Sequence, residues 1–175
     1  MDIERSGLII FKGNDQIVVG PDLIPGEIAP DFISHNSDWL KFQGLKDTAG
    51  KVRIIASVPS LETAVCDRET RRFNLEATSL DEDIVVLVVS MDLPYSQKRW
   101  CGGAGIDRVI TLSDHMSAEF GKKYGCLMKD VRLLRRAVFI IDREDKVVYS
   151  AYMPEIGIEP DYDVIMGVAK AALKM

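Results

Sequence analysis

The sequence predicts an α/β fold in which a mixed central β-sheet is flanked by helices on both faces. Strand-like apolar runs alternate with helix-like stretches along most of the chain. One of these runs, IVVLVVSM over residues 84–91, is almost wholly apolar, which is typical of a strand buried on both faces. Near the C-terminus a short polar turn separates two further strand-like runs, so we expect an antiparallel hairpin to join the sheet.

The first 50 residues contain short elements. Two β-prone runs, residues 8–11 and 16–19, flank a Gly-Asn-Asp turn and predict an N-terminal β-hairpin. Residues 21–33 carry three prolines and no sustained hydrophobic period, so we interpret them as an extended connector. A short strand is predicted over residues 38–42, followed by a loop or brief helical turn over residues 44–50.

The middle of the chain predicts two strand-to-helix units. A β-branched apolar run over residues 52–58 predicts a buried strand, which passes through Pro59 and a polar connection into a helix. The inward positions of this helix recur at helical spacing and are Cys66, Thr70, Phe73, Ala77 and Leu80. After the apolar strand already described, we expect Asp92 to cap a helix over residues 94–100 that ends at Cys101, Gly102 and Gly103.

The C-terminal part predicts a strand, a helix, the hairpin and a closing helix. The strand covers residues 108–112, and a helix begins at residues 113–114 and closes at Gly125. Residues 136–142 and 146–153 form the hairpin. A final helix over residues 160–173 has one apolar stripe, formed by Ile165, Val168, Ala169 and Ala172.

Composition excludes several classes of function. A chain of 175 residues with a formal net charge of -5 has no dense basic patch interleaved with aromatic residues, which argues against nucleic-acid binding. No run reaches the roughly 18 apolar residues of a membrane span, and the N-terminus lacks the features of a secretory signal. We therefore expect a cytoplasmic protein with no membrane association, whose three cysteines are not a disulfide framework.

A cysteine motif stands at the first strand-to-helix turn. Pro59, Thr63 and Cys66 form P-x-x-x-T-x-x-C, and the helix N-terminus favours a thiolate over a thiol at Cys66. Proline there fixes the turn and shields the sulfur from water, while Thr63 can reach the sulfur and a bound oxygen ligand. Position alone leaves a second interpretation open, because Cys66 also lies on the inward stripe and can be an inert core thiol.

The segments around the motif identify a family. VPSLETAVCDRETRRFN, SMDLPYSQKRWCGGAGI and LLRRAVFIID, together with the endings VVYSAYMPEI and PDYDVIMGVAKAAL, resemble the thiol peroxidase subfamily of the peroxiredoxins over nearly the full length. The resemblance implies one thioredoxin-like domain over residues 1–175 and a homodimer. It also implies a redox centre that consists of cysteine alone, with no cofactor.

The resemblance assigns roles to individual residues. It implies that Cys66 is the peroxidatic cysteine and that Cys101, 35 residues later, is the resolving cysteine that forms an intramolecular disulfide with it. Arg136 matches the arginine that stabilises the thiolate and polarises the peroxide, although the adjacent Arg135 leaves open which arginine points inward. The implied substrates are hydrogen peroxide and organic hydroperoxides, and the implied reductant is thioredoxin or a similar dithiol.

Other interpretations are weaker. A disulfide oxidoreductase needs C-x-x-C on one helical turn, whereas a non-enzymatic peroxide sensor that passes its disulfide to a partner remains an alternative. We interpret Cys126 as a core residue rather than as a third redox centre. His35 and His115 lack a ligand spacing, so the sequence predicts no metal site.

Overall fold

The computed structural model describes residues 2–175. The strands within them are β1 (Glu4–Arg5), β2 (Ile10–Phe11), β3 (Asn14–Asp15), β4 (Val18–Val19), β5 (Ile33–His35), β6 (Lys41–Gln43), β7 (Val52–Ser57), β8 (Ile84–Ser90), β9 (Ile110–Ser113), β10 (Leu127–Met128), β11 (Leu133–Leu134), β12 (Ala137–Ile141) and β13 (Val147–Tyr152). The α-helices are α1 (Ala64–Ala77), α2 (Pro94–Ala104), α3 (Glu119–Lys123) and α4 (Tyr162–Ala172).

A seven-stranded mixed sheet forms the centre of the molecule, as predicted. Its strand order is β13-β12-β7-β8-β9-β5-β6. The pairs β7–β8 and β8–β9 are parallel, and the remaining pairs are antiparallel. The predicted C-terminal hairpin is confirmed as β12 and β13. This order places β7 and β12 side by side, although the paired residues Ser57 and Ala137 are 80 positions apart in the sequence.

Both faces of this sheet are covered. On one face, α1 and α4 bury Phe73 and Ile165 against sheet residues such as Ile54 and Val138. On the other face, Phe32 of the 21–33 connector, Phe120 of α3 and Tyr124 at the end of α3 form an aromatic cluster with Phe139 of β12. Because every buried strand has an apolar layer on each side, the near-continuous hydrophobic runs of β7 and β8 are explained.

The N-terminal hairpin is present, but its second strand is β3 and not the predicted residues 16–19. Strand β2 pairs with β3 across Lys12 and Gly13, and Gly13 has the positive φ of +82° that this tight turn requires. Residues 18–19 instead pair with β1 and β10, within a four-stranded sheet of order β1-β4-β10-β11. Val18 and Val19 are both buried, and pairing with the apolar strand β10 gives them this burial.

Helix α2 differs from its prediction at both ends. The N-cap residue is Leu93, and the Asp92 carboxylate is engaged elsewhere. The helix continues through residues 101–103 to Ala104, so the first two glycines do not stop it. It ends at Gly105, whose left-handed φ of 67° lets its backbone N–H bond the carbonyl of Cys101.

Helix α3 is much shorter than the predicted helix that begins at residues 113–114. Ala118 adopts a left-handed conformation with φ 52°, which excludes a continuous helix through this point. The Asp114 carboxylate accepts hydrogen bonds from the backbone N–H groups of Phe120 at 3.1 Å and Gly121 at 2.8 Å. Burial raises the pKa of Asp114 to about 7. The Asp114 side chain thus caps the start of α3 from the other side of a turn.

The predicted strand over residues 38–42 is displaced, because the Asn36 side chain accepts from the backbone N–H groups of Asp38 and Leu40 and holds a turn there. The strands on either side of this turn are β5, which begins at the last residue of the predicted connector, and β6, and the two pair antiparallel.

The brief helical turn and the closing helix follow their predictions. The brief helical turn is a 3-10 turn over Lys46–Thr48, and α4 is capped by Asp161, whose side chain accepts from the N–H of Val164. Of the predicted α4 stripe, Ile165, Ala169 and Ala172 are buried. Across residues 2–175, every helix is too short or too polar to cross a membrane.

Candidate active site

The turn between β7 and α1 places Cys66 in the first turn of a helix. Pro59 is buried at this turn, and Thr63 is the N-cap residue of α1. The Thr63 hydroxyl accepts from the backbone N–H of Cys66 at 3.4 Å and donates to the carbonyl of Ser60 at 3.0 Å. Thr63 therefore shapes the turn through the backbone of Cys66, whereas the sequence led us to expect a contact with its sulfur.

Asp92 fixes the loop that precedes the motif cysteine. One carboxylate oxygen accepts from the Ser60 hydroxyl at 2.7 Å, and the other accepts from the backbone N–H of Leu61 and the Ser90 hydroxyl, each at 2.8 Å. These bonds join the loop to the end of β8, the neighbouring strand in the sheet. The residue predicted to cap α2 is thus an anchor for the Cys66 loop.

The sulfur of Cys66 contacts the guanidinium of Arg136. Arg136 Nη2 lies 3.1 Å from Cys66 Sγ, and both residues are fully buried. The contact follows from sheet topology, because Ala137 pairs with Ser57 where β12 lies alongside β7. Arg136 therefore enters next to the turn that leads to α1. The contact places a buried positive charge and an N–H donor directly at the Cys66 sulfur.

Two further groups hold the guanidinium of Arg136. Its Nη1 pairs with Glu69, and its Nε donates to the backbone carbonyl of Ile156 at 3.0 Å. Burial raises the pKa of Glu69 to about 7, and the nearby positive charge of Arg136 acts in the opposite direction. For Arg136 burial lowers the pKa, but Glu69 and Cys66 outweigh it and raise the pKa, so the guanidinium stays charged.

The neighbouring Arg135 serves a different part of the molecule. Its Nε donates to the carbonyl of Gly125 at 2.8 Å, and its Nη2 pairs with Asp22. Its guanidinium carbon lies 4.1 Å from the ring centroid of Tyr152. Successive residues of an extended chain point to opposite sides, so only one of the two arginines can reach Cys66. Neither arginine is a solvated surface charge, because both are buried.

Cys101 lies on α2, opposite the start of α1. Its side chain is partly buried, its Sγ is 3.6 Å from the hydroxyl of Thr111, and burial raises its pKa. Cys66 and Cys101 are both free thiols. A cleft of about 560 Å³ lies between the two helix ends. Its lining includes Thr63, Ala64 and Asp67 on one side and Trp100, Gly103 and Ala104 on the other.

Comparison with known proteins decides the family. The chain matches the Redoxin family over residues 24–165. It is 48% identical over 158 residues to a thiol peroxidase of Oceanobacillus iheyensis, which covers 90% of this chain and 95% of the relative. It is 47% identical over 167 residues to a thiol peroxidase of Bacillus subtilis, covering 95% and 98%. The chain belongs to the thiol peroxidase subfamily of the peroxiredoxins.

Solved structures agree with this assignment. A peroxiredoxin-like protein from Aquifex aeolicus superposes with a TM-score of 0.85 at 39% identity, covering 96% of this chain and 97% of that one. A thiol peroxidase from Chromobacterium violaceum, 20% identical, shares the fold with a TM-score of 0.80 and 97% coverage of both chains. The thioredoxin-like fold is therefore confirmed, and this member of the thiol peroxidases is a peroxiredoxin-type peroxidase.

The third cysteine of this thiol peroxidase is a core residue, as predicted. Cys126 is fully buried, and its thiol donates to the carbonyl of Tyr124 at 3.3 Å. Burial raises the pKa of Cys126 to about 12, which favours an inert thiol. In the part of the chain that the structure describes, no group of three His, Cys, Asp or Glu side chains could hold a metal ion.

Sequence reasoning missed Glu69 and the role of Asp92. Glu69 lies three residues after Cys66, a spacing that puts both side chains on one face of a helix. A charged residue on the inward face of a helix needs a buried partner, and this was the sequence signal that could have identified Glu69. No comparable pattern marks Asp92, because its partners come from a loop about 30 residues earlier in the chain. That relationship arises from the parallel pairing of β7 with β8.

Proposed function

We propose that this thiol peroxidase reduces hydrogen peroxide and organic hydroperoxides to water and alcohols, in antioxidant defence in the cytoplasm. The observation that carries the proposal is the 3.1 Å contact between the Arg136 guanidinium and the Cys66 sulfur, at the N-terminus of a helix. Membership of the thiol peroxidase subfamily supports the same chemistry.

In the first step the Cys66 thiolate attacks one oxygen of the peroxide. An S–O bond forms and the O–O bond breaks, so the sulfur loses two electrons and becomes a sulfenic acid. The leaving oxygen takes a proton and departs as water or an alcohol. Arg136 Nη2 lies at the Cys66 sulfur, and its N–H groups stabilise the negative charge that develops on the peroxide oxygens. Glu69 and the Ile156 carbonyl fix the orientation of the guanidinium.

In the second step Cys101 resolves the sulfenic acid. Its sulfur attacks the Cys66 sulfur, an S–S bond forms, the S–O bond breaks and water leaves. A dithiol such as thioredoxin then reduces the disulfide by exchange and itself becomes a disulfide. Because Cys66 now contacts Arg136 and Cys101 contacts Thr111, at least one helix end must rearrange for the S–S bond to form.

The test is peroxide consumption with thioredoxin, thioredoxin reductase and NADPH. We expect Cys66→Ser to abolish turnover and Cys101→Ser to reduce it strongly, while Cys126→Ala serves as the matched control and keeps it. A wild-type protein that reacts with peroxide but turns over negligibly, and whose Cys101→Ser variant traps one regulator as a mixed disulfide, would favour the peroxide sensor instead.

We further propose that the protein is a homodimer through an exposed aromatic surface around the start of α2. Trp39 lies 5.2 Å from Tyr95 and 5.4 Å from His115, measured between ring centroids. Tyr95 is 69% exposed and Met116 is 60% exposed. Exposed apolar groups that cluster in this way are typical of protein interfaces.

Sedimentation equilibrium tests the interface. We expect Tyr95→Glu to shift the protein toward monomer, because a charge in an apolar contact is left without a partner. Leu75→Glu on α1, where the leucine is 63% exposed, is the matched control and should leave the dimer intact. A Tyr95→Glu protein with the wild-type mass would refute this location.

A further inference from the structure

The last turn of α2, which follows Cys101, contains two glycines that its surroundings do not require. Gly102 and Gly103 lie inside the helix, and a Cβ at either position would meet no atom within 4 Å. Neither has the positive φ that favours glycine. Glycine weakens a helix relative to alanine because it has more conformational freedom to lose. The helix is therefore weak at the position of the thiol.

Side chains of α1 hold this weak turn in place. Trp100 Nε1 donates to Asp67 Oδ1 at 3.0 Å. Arg71 Nη1 donates at 3.2 Å to the carbonyl of Ala104, the last residue of α2, and Arg71 Nε lies 2.9 Å from Asp67 Oδ2. The Arg71 guanidinium carbon is 5.7 Å from the Trp100 ring centroid. We call Asp67, Arg71 and Trp100 the latch.

The latch joins the two residues that are adjacent to the cysteines. Asp67 directly follows Cys66, and Trp100 directly precedes Cys101. Closing the disulfide moves at least one helix end away from its present contacts, so the latch bonds and the last helical turn oppose this movement. Gly102 and Gly103 favour the movement, because they weaken the last helical turn. The balance between the latch bonds and this weakening determines how often Cys101 is free to approach Cys66.

We propose that the latch and the two glycines set the rate at which Cys101 resolves the sulfenic acid of Cys66. The proposal rests on the two-cysteine cycle proposed above. In that step the Cys101 sulfur forms the S–S bond, the S–O bond of Cys66 breaks, and water leaves with the thiol proton. Slow resolution gives a second peroxide time to oxidise the sulfenic acid to a sulfinic acid, so the latch also sets sensitivity to excess peroxide.

We expect variants of the latch and variants of the two glycines to change the rate of disulfide formation in opposite directions. Trp100→Phe keeps an aromatic ring but loses the N–H, and should speed disulfide formation about five-fold. Gly102→Ala and Gly103→Ala should each slow it about three-fold, because alanine strengthens the helix. Gly167→Ala is the matched control, since Gly167 lies within α4 and a Cβ there also meets no atom within 4 Å.

The experiment has two readouts. Reduced protein is mixed with one equivalent of hydrogen peroxide, quenched, alkylated and analysed by mass spectrometry for sulfenic acid, disulfide and sulfinic acid over time. Amide hydrogen exchange of residues 99–105 is measured separately in the reduced proteins. We expect Trp100→Phe to exchange faster, both α2 alanine variants to exchange more slowly, and sulfinic acid to accumulate more in the alanine variants.

The outcomes separate this proposal from the proposed function. Equal exchange at residues 99–105 in all variants would overturn the latch itself. Unequal exchange with equal rates of disulfide formation would overturn its role in resolution. A wild-type protein that forms no disulfide between Cys66 and Cys101 contradicts the two-cysteine cycle, and with it the role of the latch, whatever the exchange rates show.

Discussion

The carboxylate of Glu69 and the guanidinium of Arg136 form an ion pair in which neither side chain is exposed. Glu69 lies one helical turn after Cys66, so the helix that carries the sulfur also carries the group that orients the arginine. Removing one partner of a buried ion pair is strongly destabilising, because the other charge is left uncompensated. The pair therefore links the stability of α1 to the geometry at Cys66.

The first prediction concerns Glu69. Glu69→Ala should lower the free energy of unfolding by about 3 kcal/mol. It should also slow the reaction of Cys66 with peroxide about ten-fold or more, because Arg136 loses its orientation. Glu69→Gln keeps an acceptor for Arg136 and should lose much less of both. Urea unfolding and rapid-mixing kinetics measure the two effects, and an unchanged rate in Glu69→Ala would show that orientation does not depend on this pair.

The second prediction contrasts two adjacent arginines. Arg136→Lys removes the forked donor beside the Cys66 sulfur and should lower the second-order rate constant for peroxide about 100-fold. Arg135→Lys disturbs the contacts with Asp22 and Tyr152 and should reduce stability while leaving that rate constant within about three-fold. The comparison uses the initial reaction of the reduced proteins. Equal losses of rate in both variants would contradict the separate roles.

The third prediction concerns the loop anchor. Asp92→Ala leaves the Ser60 hydroxyl and the Leu61 N–H without their acceptor, which should cost about 1–3 kcal/mol of unfolding free energy. A looser loop should also reduce the peroxide rate several-fold, because the start of α1 is less well placed. Asp92→Asn is the control, since its amide keeps one oxygen acceptor. Thermal unfolding midpoints that are unchanged in both variants would show that Asp92 does not anchor the loop.

The fourth prediction is a pH dependence of stability. The pKa of Asp114 is raised by burial from 3.8 in the unfolded chain to about 7 in the folded protein, so the folded state binds this proton more tightly. The resulting stabilisation is fully present below about pH 3.8 and is lost as the pH rises through about 7, by up to about 4 kcal/mol.

Asp114→Asn isolates this contribution, because the amide does not titrate. Urea unfolding from pH 4 to pH 8 should show a smaller fall in stability for Asp114→Asn than for the wild type. The buried Glu69, whose pKa is also raised, supplies a fall of the same sign that both proteins share. Parallel curves for the two proteins would mean that Asp114 titrates at its ordinary pKa.

Local patterns predicted most of the central fold. The long apolar strands, the hairpin of β12 and β13, and α4 were all recognisable because burial on two faces and helical periodicity leave clear signals. Strands of two residues, such as β10 and β11, leave none. The pairing of β10 with residues 18–19 joins parts of the chain that are more than 100 residues apart, and β11 joins this sheet only through β10.

The site was predictable where the chemistry is local in sequence. The turn from Pro59 to Cys66 is one continuous motif, and the structure keeps it together at the start of α1. The end of α2 was not predictable from its glycines, because contacts from α1 hold a helical turn that local propensity opposes. The left-handed Ala118 likewise cut short a helix that the sequence pattern favours.

The pairing of Ala137 with Ser57 has a consequence for insertions and deletions in the chain. Deleting Arg136 would join Arg135 directly to Ala137, so Arg135 would take the position that now faces Cys66 and Leu134 would take the place of Arg135 on the opposite side. The turn over residues 129–132 is exposed, so a change of length there can be absorbed before β11 begins. The pairing of β7 with β12 therefore tolerates a change of chain length in the turn before Arg136, and it does not tolerate one between Arg136 and the paired residue Ala137.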